Sequence, residues 1–304
     1  DTARFDQTDL QLKLKLNKQT LIIPSSKTFT LKKDQSVILP FNLSMEGALL
    51  KYSTTQLLAK VEEKNAVHYF FFAPEGLRTE YSFDKSTLSS GKEFYTPKPG
   101  LKSTFSITVK NGKTLKITTL TRQQALNTTK VNNHILITEA TVLPEKEQCT
   151  LLSLGKTQIS YALYTANKGW KEETIEVQPV DVKADWKKVG TRRMTVKIDQ
   201  PDVPQVNDYF LRVNYVADVA MAFIGGYLVL DHYYYGIPWT IGLRRFKNEL
   251  KNEYLSFYFR PLRKDAPFIG DLPVEAIPDF SQKDADCLVR SVDVIPEYKA
   301  IVNI

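Results

Sequence analysis

Phe105 to Leu120 reads FSITVKNGKTLKITTL. Phe105, Ile107 and Val109 alternate with polar residues before Asn111-Gly112, and Leu115 and Ile117 alternate after it. Period two is the strand period, because successive side chains on an extended chain point to opposite faces. Asn-Gly tolerates the positive φ angles of a type I′ turn, whose twist matches that of its flanking strands. The stretch is expected to be a β-hairpin turning at Asn111-Gly112.

The same period runs outward from this hairpin. Leu10, Leu12, Leu14 and Leu16 alternate with Gln11, Lys13 and Lys15, as in a strand with one wet face. Val37, Leu39, Phe41 and Leu43 repeat the pattern. Val67 to Ala73, VHYFFFA, is a short and nearly continuous apolar run, which suits a strand buried on both faces. Directly after the hairpin, Thr121-Arg122-Gln123-Gln124 has the form of a capping box. One short helix is expected near 121–131, limited to about two turns by Asn127-Thr128-Thr129, whose side chains compete for backbone partners. Strand-like runs resume at His134–Thr138, Cys149–Leu154, Ile159–Thr165, Arg193–Ile198, Phe210–Val216, Tyr254–Arg260 and Cys287–Val294. The proline-bearing stretch from Pro261 to Pro278 reads as irregular extended chain. Short strands with frequent turn signals predict an all-β protein of two β-sandwich domains. Pro144-Glu145-Lys146-Glu147 is polar and turn-like, so the domains are expected at 1–145 and 146–304.

Composition narrows the function classes. The 304 residues are 42% hydrophobic and 25% charged, ordinary globular values that exclude disorder. Two cysteines exclude a disulfide scaffold; Cys149 and Cys287 fit either one long-range bridge or two buried free thiols. Net charge is +7, but the densest basic spots are pairs such as Lys32-Lys33, Lys187-Lys188 and Arg192-Arg193. Nucleic-acid binding needs a clustered stripe, so no nucleic-acid partner is expected. No apolar stretch approaches the roughly 20 residues of a membrane span. The longest low-charge run, Val219 to Leu230, is broken by Gly225-Gly226, so no span is expected. The chain begins at Asp1 rather than Met, which suggests a removed leader or an excised fragment.

Catalytic signatures are absent: HExxH, GxSxG, CxxC and GxGxxG do not occur. Gly155-Lys156-Thr157 imitates the end of a P-loop, but Thr150 stands where that loop needs glycine, so a turn is expected. His68, His134 and His232 have no patterned acidic neighbours, and each reads as a structural histidine rather than a metal ligand or triad member. No carboxylate pair stands out for glycoside hydrolysis. No catalytic residue, metal or cofactor is therefore expected.

The informative segment is Tyr209 to Phe246, YFLRVNYVADVAMAFIGGYLVLDHYYYGIPWTIGLRRF. Leu211, Val213 and Tyr215 line one strand face, and Val219, Met221 and Phe223 another. Gly225-Gly226 makes a tight hairpin, at least one glycine of which is expected at positive φ. This segment resembles the jelly-roll accessory domain of β-galactosidases of glycoside hydrolase family 35. The likeness lies in Asp218-Val219-Ala220, Gly225-Gly226, Asp231, Tyr233 to Tyr235, Gly236, Trp239, Ile241-Gly242-Leu243 and Arg244-Arg245-Phe246; a small polar residue is more usual in place of the first glycine of the turn. Leu39 to Gly76 is similar, more weakly, to the β-domain that follows the catalytic barrel in bacterial members, and Leu115 to Leu126 to a strand-to-helix step further along.

The resemblance implies a jelly-roll, galactose-binding-like second sandwich and a non-catalytic accessory region that buttresses a catalytic domain and contacts glycan. That family carries its two catalytic glutamates in a (β/α)₈ barrel of roughly 250 residues. No position here matches the barrel motifs, so the barrel is expected in cis or in trans. The alternative is a free-standing carbohydrate-binding or surface protein of a glycan-degrading bacterium; either implies a periplasmic or extracellular location. A sugar offers apolar C–H faces to aromatic rings and hydroxyls to polar groups. The candidate carbohydrate-binding residues are Asp231, Tyr233, Tyr234, Tyr235, Trp239 and Arg244, with Trp170 and Trp186 as further aromatics. Gly236 and Pro238 break the strand there and free adjacent side chains. The competing reading puts Trp239 in the sandwich core, with the middle tyrosine facing opposite to its neighbours.

Overall fold

The computed structural model describes residues 5–16, 20–166 and 168–304. The protein is all-β and sandwich-like, with one α-helix among the described residues. It divides into two compact units: Asp1–Glu139 with Ser160–Thr174, and Ala140–Ile159 with Ile175–Asn303. The chain thus leaves the first unit near the expected boundary but returns to it. Gln158–Thr165 pairs antiparallel with His134–Thr138, Ile137 lying opposite Ala162, and this ladder ties 160–174 to the first unit. Asp1 itself lies outside the described residues.

The first unit stacks three larger sheets, beside two two-stranded ones, Gln7–Leu10 with Phe29–Leu31 and Leu12–Lys15 with Thr20–Ile23. Its central sheet runs in the order Leu88–Ser90, Phe105–Val109, Thr114–Leu120, Ala66–Phe72, Gln56–Glu62. Ala66–Phe72 pairs parallel with Thr114–Leu120, Val67 opposite Leu115 and Phe71 opposite Thr119. Alternation then divides VHYFFFA between two cores. Val67, Tyr69 and Phe71 pack with Leu50, Tyr81, Phe83, Ile107 and Ile117. Phe70 packs on the other side with Val61, Leu120, Ile135, Ile137 and Tyr164. A strand covered on both faces has little use for polar residues, which is why this run reads as continuous.

The hairpin forms, with a different turn. Phe105 pairs with Ile117 and Thr108 with Thr114. Gly112 N–H donates to Val109 O at 2.9 Å, and Val109 N–H to Lys113 O at 2.9 Å. Gly112 has φ +88° while Asn111 stays at negative φ. This is the longer connection in which a tight turn is followed by a left-handed glycine, rather than type I′. The helix spans Arg122–Leu126, with both bonds of the capping box present. It is shorter than 121–131 because Thr128–Val131 pairs with His134–Thr138 instead. The expected strand at Leu10–Leu16 is two pieces, Gln7–Leu10 and Leu12–Lys15, and Val37 and Leu39 precede the strand Phe41–Met45 rather than belonging to it.

The second unit holds two five-stranded antiparallel sheets. One runs Thr141–Pro144, Gln148–Leu154, Leu288–Asn303, Val206–Val216, Trp239–Gly242. The other runs Ala184–Gly190, Arg193–Ile198, Leu255–Arg260, Val219–Ile224, Tyr227–Tyr233. They share one core that includes Val196, Leu211, Val213, Tyr215, Ala222, Phe257 and Phe259. Cys149 and Cys287 are both free thiols. The hairpin between Val219–Ile224 and Tyr227–Tyr233 turns on Gly225 at φ +55° and Gly226 at φ +85°. Nothing lies within 4 Å of a Cβ built at either glycine. Gly226→Val therefore costs backbone strain alone, and is expected to lower unfolding free energy by about 1–3 kcal/mol. An unchanged thermal unfolding midpoint would refute that strain.

Candidate functional site

The strand register decides where each sequence-derived site residue goes. Trp239 belongs to Trp239–Gly242, which pairs with Val206–Val216 opposite Val213. Its side chain is 5% exposed. It stacks on His232 with ring centroids 5.4 Å apart and meets Phe257 edge-on at 5.8 Å. Tyr234 is also buried, and its hydroxyl donates to Ala276 O at 2.8 Å. Neither ring presents an open face. Arg244 follows Trp239–Gly242 out of the core and donates from Nη1 to Asn207 Oδ1 at 2.7 Å. Asp208 Oδ1 fixes this corner by accepting from the backbone N–H groups of Tyr209 and Arg244, both at 2.7 Å.

Asp231 and Tyr233 lie on Tyr227–Tyr233, in the other sheet, and both are exposed. Tyr235 is exposed as well, its ring 5.2 Å from that of His232. The triple tyrosine thus alternates out, in, out. His232 Nδ1 and the Tyr215 hydroxyl are 2.7 Å apart, and burial holds the imidazole below its ordinary pKa. The structure brings together Asp231 and Tyr233 from the expected set, and separates them from Arg244. Of the two further aromatics, Trp186 packs against the second unit's core and Trp170 meets Phe70 and Tyr164 edge-on in the first unit.

Sequence reasoning missed the residues beside Asp231. Alternation along Leu255–Arg260 sends Leu255, Phe257 and Phe259 inward, so Ser256, Tyr258 and Arg260 share the outer face, and Tyr254, just ahead of the strand, is exposed and lines the same groove. Tyr258 lies opposite Arg193 on one side and Met221 on the other, and Met221 lies opposite Asp231. One row, Arg193–Tyr258–Met221–Asp231, therefore crosses four strands of this face. Beside it, Thr195 lies opposite Ser256, and Ser256 opposite Phe223. A groove of about 590 Å³ opens here, lined by Arg193, Thr195, Phe223, Tyr254, Ser256 and Tyr258 among others. None of these side chains, nor Asp231, has a hydrogen-bond or ion-pair partner among the described residues. Exposed aromatic faces next to unspent hydroxyls and charges suit a ligand that is apolar on its faces and polar at its edges.

No protein-family model matches the chain, and no curated protein matches it.

A second group of titratable side chains sits in the first unit. Lys116 Nζ bonds Glu63 Oε2 at 2.7 Å, and Tyr164 donates its hydroxyl proton to Glu63 Oε1. The Tyr164 oxygen lies 2.6 Å from His68 Nδ1, and His68 Nε2 lies 2.7 Å from Thr118 Oγ1. Thr118 and Thr104 are joined at 2.6 Å. The carboxylate only accepts, so the direction of the chain follows: Tyr164 gives its proton to Glu63, His68 Nδ1–H donates to Tyr164, and Thr118 donates to Nε2. His68 is thus the neutral Nδ1–H tautomer. Burial drives its pKa from 6.5 down to about 4, against the opposing pull of Glu63. Burial pushes the Glu63 carboxyl up, but its bonds to Lys116 and Tyr164 carry it below the ordinary carboxylate value. His68 and Glu63 side chains are each 2% exposed. Along Thr104–Thr118–His68–Tyr164–Glu63 each bonded proton has a neighbouring acceptor.

Proposed function

We propose that this chain is a non-catalytic accessory region of a β-galactosidase-like glycoside hydrolase, buttressing a catalytic domain and contacting glycan through its second unit, outside the cytoplasm. The observation that carries the glycan contact is the outer sheet face from Arg193 to Asp231, where Phe223, Tyr254 and Tyr258 expose ring surface beside hydroxyls without partners. The non-catalytic part is supported by two features. The acid–base group Glu63–Tyr164–His68 is closed to a substrate, its His68 and Glu63 side chains each 2% exposed. The described residues also form strands without the alternating helices of a (β/α)₈ barrel. The link to family 35 rests on the likeness of Tyr209 to Phe246, with the weaker likenesses of Leu39 to Gly76 and Leu115 to Leu126 beside it.

The test is calorimetric titration of the purified chain with galactose-containing oligosaccharides, run beside a chromogenic β-galactoside. One or two stacked rings give weak binding, with an expected dissociation constant of about 0.1–10 mM. Tyr258→Ala is expected to weaken it at least about tenfold in a chain whose circular dichroism is unchanged. Turnover of the chromogenic substrate that co-purifies with the chain would sink the non-catalytic reading. Binding untouched by Tyr258→Ala would sink the proposed face.

A further inference from the structure

Arg193 is the unusual member of the groove. It is the one charged side chain in the groove's lining among the described residues. Arg260 meets Asp218 at 2.6 Å, Arg263 meets Asp265 at 2.8 Å and Arg244 bonds Asn207 at 2.7 Å, whereas Arg193 and its neighbour Arg192 are left without a side-chain partner among the described residues. Arg193 is exposed and has no partner among the described residues, yet it stands in direct register with Tyr258. Directly opposed residues on antiparallel strands have Cβ atoms about 5 Å apart. A guanidinium fork at that distance from a phenol ring suits a group that is flat, apolar on one face and carboxylated at its edge. We infer that this groove binds an acidic oligosaccharide, with a uronate ring on Tyr258 and its carboxylate on Arg193.

This inference rests on the glycan-contact reading above and names the class of sugar. Tyr254 extends the site: it lines the same groove just ahead of the strand, and four residues of extended chain span about 13 Å, enough to place it under a different ring of the same oligosaccharide. Thr195 and Ser256 offer hydroxyls to the sugar edge beside the two rings. Lys187 lies opposite Thr195 on the neighbouring strand and adds positive charge on the Arg193 side. The acid on the same row, Asp231, is three strands from Arg193, about 14 Å away. That exceeds the screening length of about 8 Å in physiological salt, so it does not repel a carboxylate held by Arg193.

The intact chain is titrated with a trigalacturonate and with a neutral galactotriose, at low and at high salt. The acidic trisaccharide is expected to bind about tenfold more tightly at low salt, with that margin shrinking as salt rises. Arg193→Gln is expected to abolish the preference while leaving neutral binding in place, and Tyr258→Ala to weaken both sugars. Equal affinities, or a preference that persists in Arg193→Gln, would overturn the inference and leave the glycan-contact reading standing. Binding of neither sugar would overturn both.

Discussion

Acidification from pH 7 to about pH 4 is expected to remove roughly 3 kcal/mol of folding stability through His68 alone. The sign follows from proton counting. In the unfolded chain the imidazole titrates near 6.5, whereas in the fold burial lowers it to about 4. Between those values the unfolded state binds a proton that the folded state refuses, so stability falls as pH falls through this window. A shift of about 2.5 units at about 1.4 kcal/mol per unit is about 3.5 kcal/mol in full, of which roughly 3 is lost by pH 4, where the folded imidazole is half protonated. Well above pH 6.5, from about pH 8, the group is neutral in both states and contributes no slope. Glu63 acts in the same direction at the acid end, since its depressed pKa stabilises the fold only while it is ionised. The measurement is the urea midpoint of the wild type and of His68→Gln at pH 7, 6, 5 and 4.5. The variant starts less stable, because the bonds to Tyr164 and Thr118 are disturbed, but loses less on acidification. His232 is also held below its ordinary value and adds a parallel slope to both proteins, which the comparison cancels. Identical slopes would show that His68 takes up a proton in the fold.

How far the sequence could be read depended on what each signal measures. Alternation measures faces, so Val219–Ile224, Arg193–Ile198 and the 105–120 hairpin were legible, as was burial of VHYFFFA on both sides. It does not measure what covers a face. Nothing local to Val67–Phe72 announces that a third sheet packs on Phe70, because that sheet draws on Gln158–Thr165, far along the chain. The Asn-Gly turn was placed correctly, but its type depends on loop length, which propensity leaves open. At the candidate site, aromatic density is highest in the run of tyrosines before Trp239, and density alone does not separate core rings from surface ones. The groove draws instead on Tyr254-Leu255-Ser256-Phe257-Tyr258, in which period two already separates two outward tyrosines from inward Leu255 and Phe257. The register that brings Arg193 and Asp231 into one row with Tyr258 joins strands up to 65 residues apart, and composition carries no trace of it.

Trp239→Ala is expected to cost about 3–5 kcal/mol, the range for emptying a large aromatic site in a core. The ring is covered by His232 on its face and by Phe257 at its edge, and its own strand is anchored to Val206–Val216. His232 is held in turn by Tyr215, so it has no freedom to swing into the vacated space. Collapse around the cavity would have to move Phe257, which sits at the centre of the other sheet and is 1% exposed. Both routes to relief are closed, which places the cost in the upper part of the range. Tyr235→Ala is the control. That ring is 52% exposed and touches the aromatic cluster only from outside, so the change is expected within about 1 kcal/mol. Chemical denaturation of the two variants separates core from surface, and sugar titration of each then locates the ligand. A Trp239→Ala chain of unchanged stability that had lost its sugar binding would put the indole at a ligand surface and move the site away from Tyr258. A strongly destabilised Trp239→Ala chain that still binds sugar while folded leaves the indole as the piece that holds Trp239–Gly242 to the core, on a different sheet from the residues that meet the glycan.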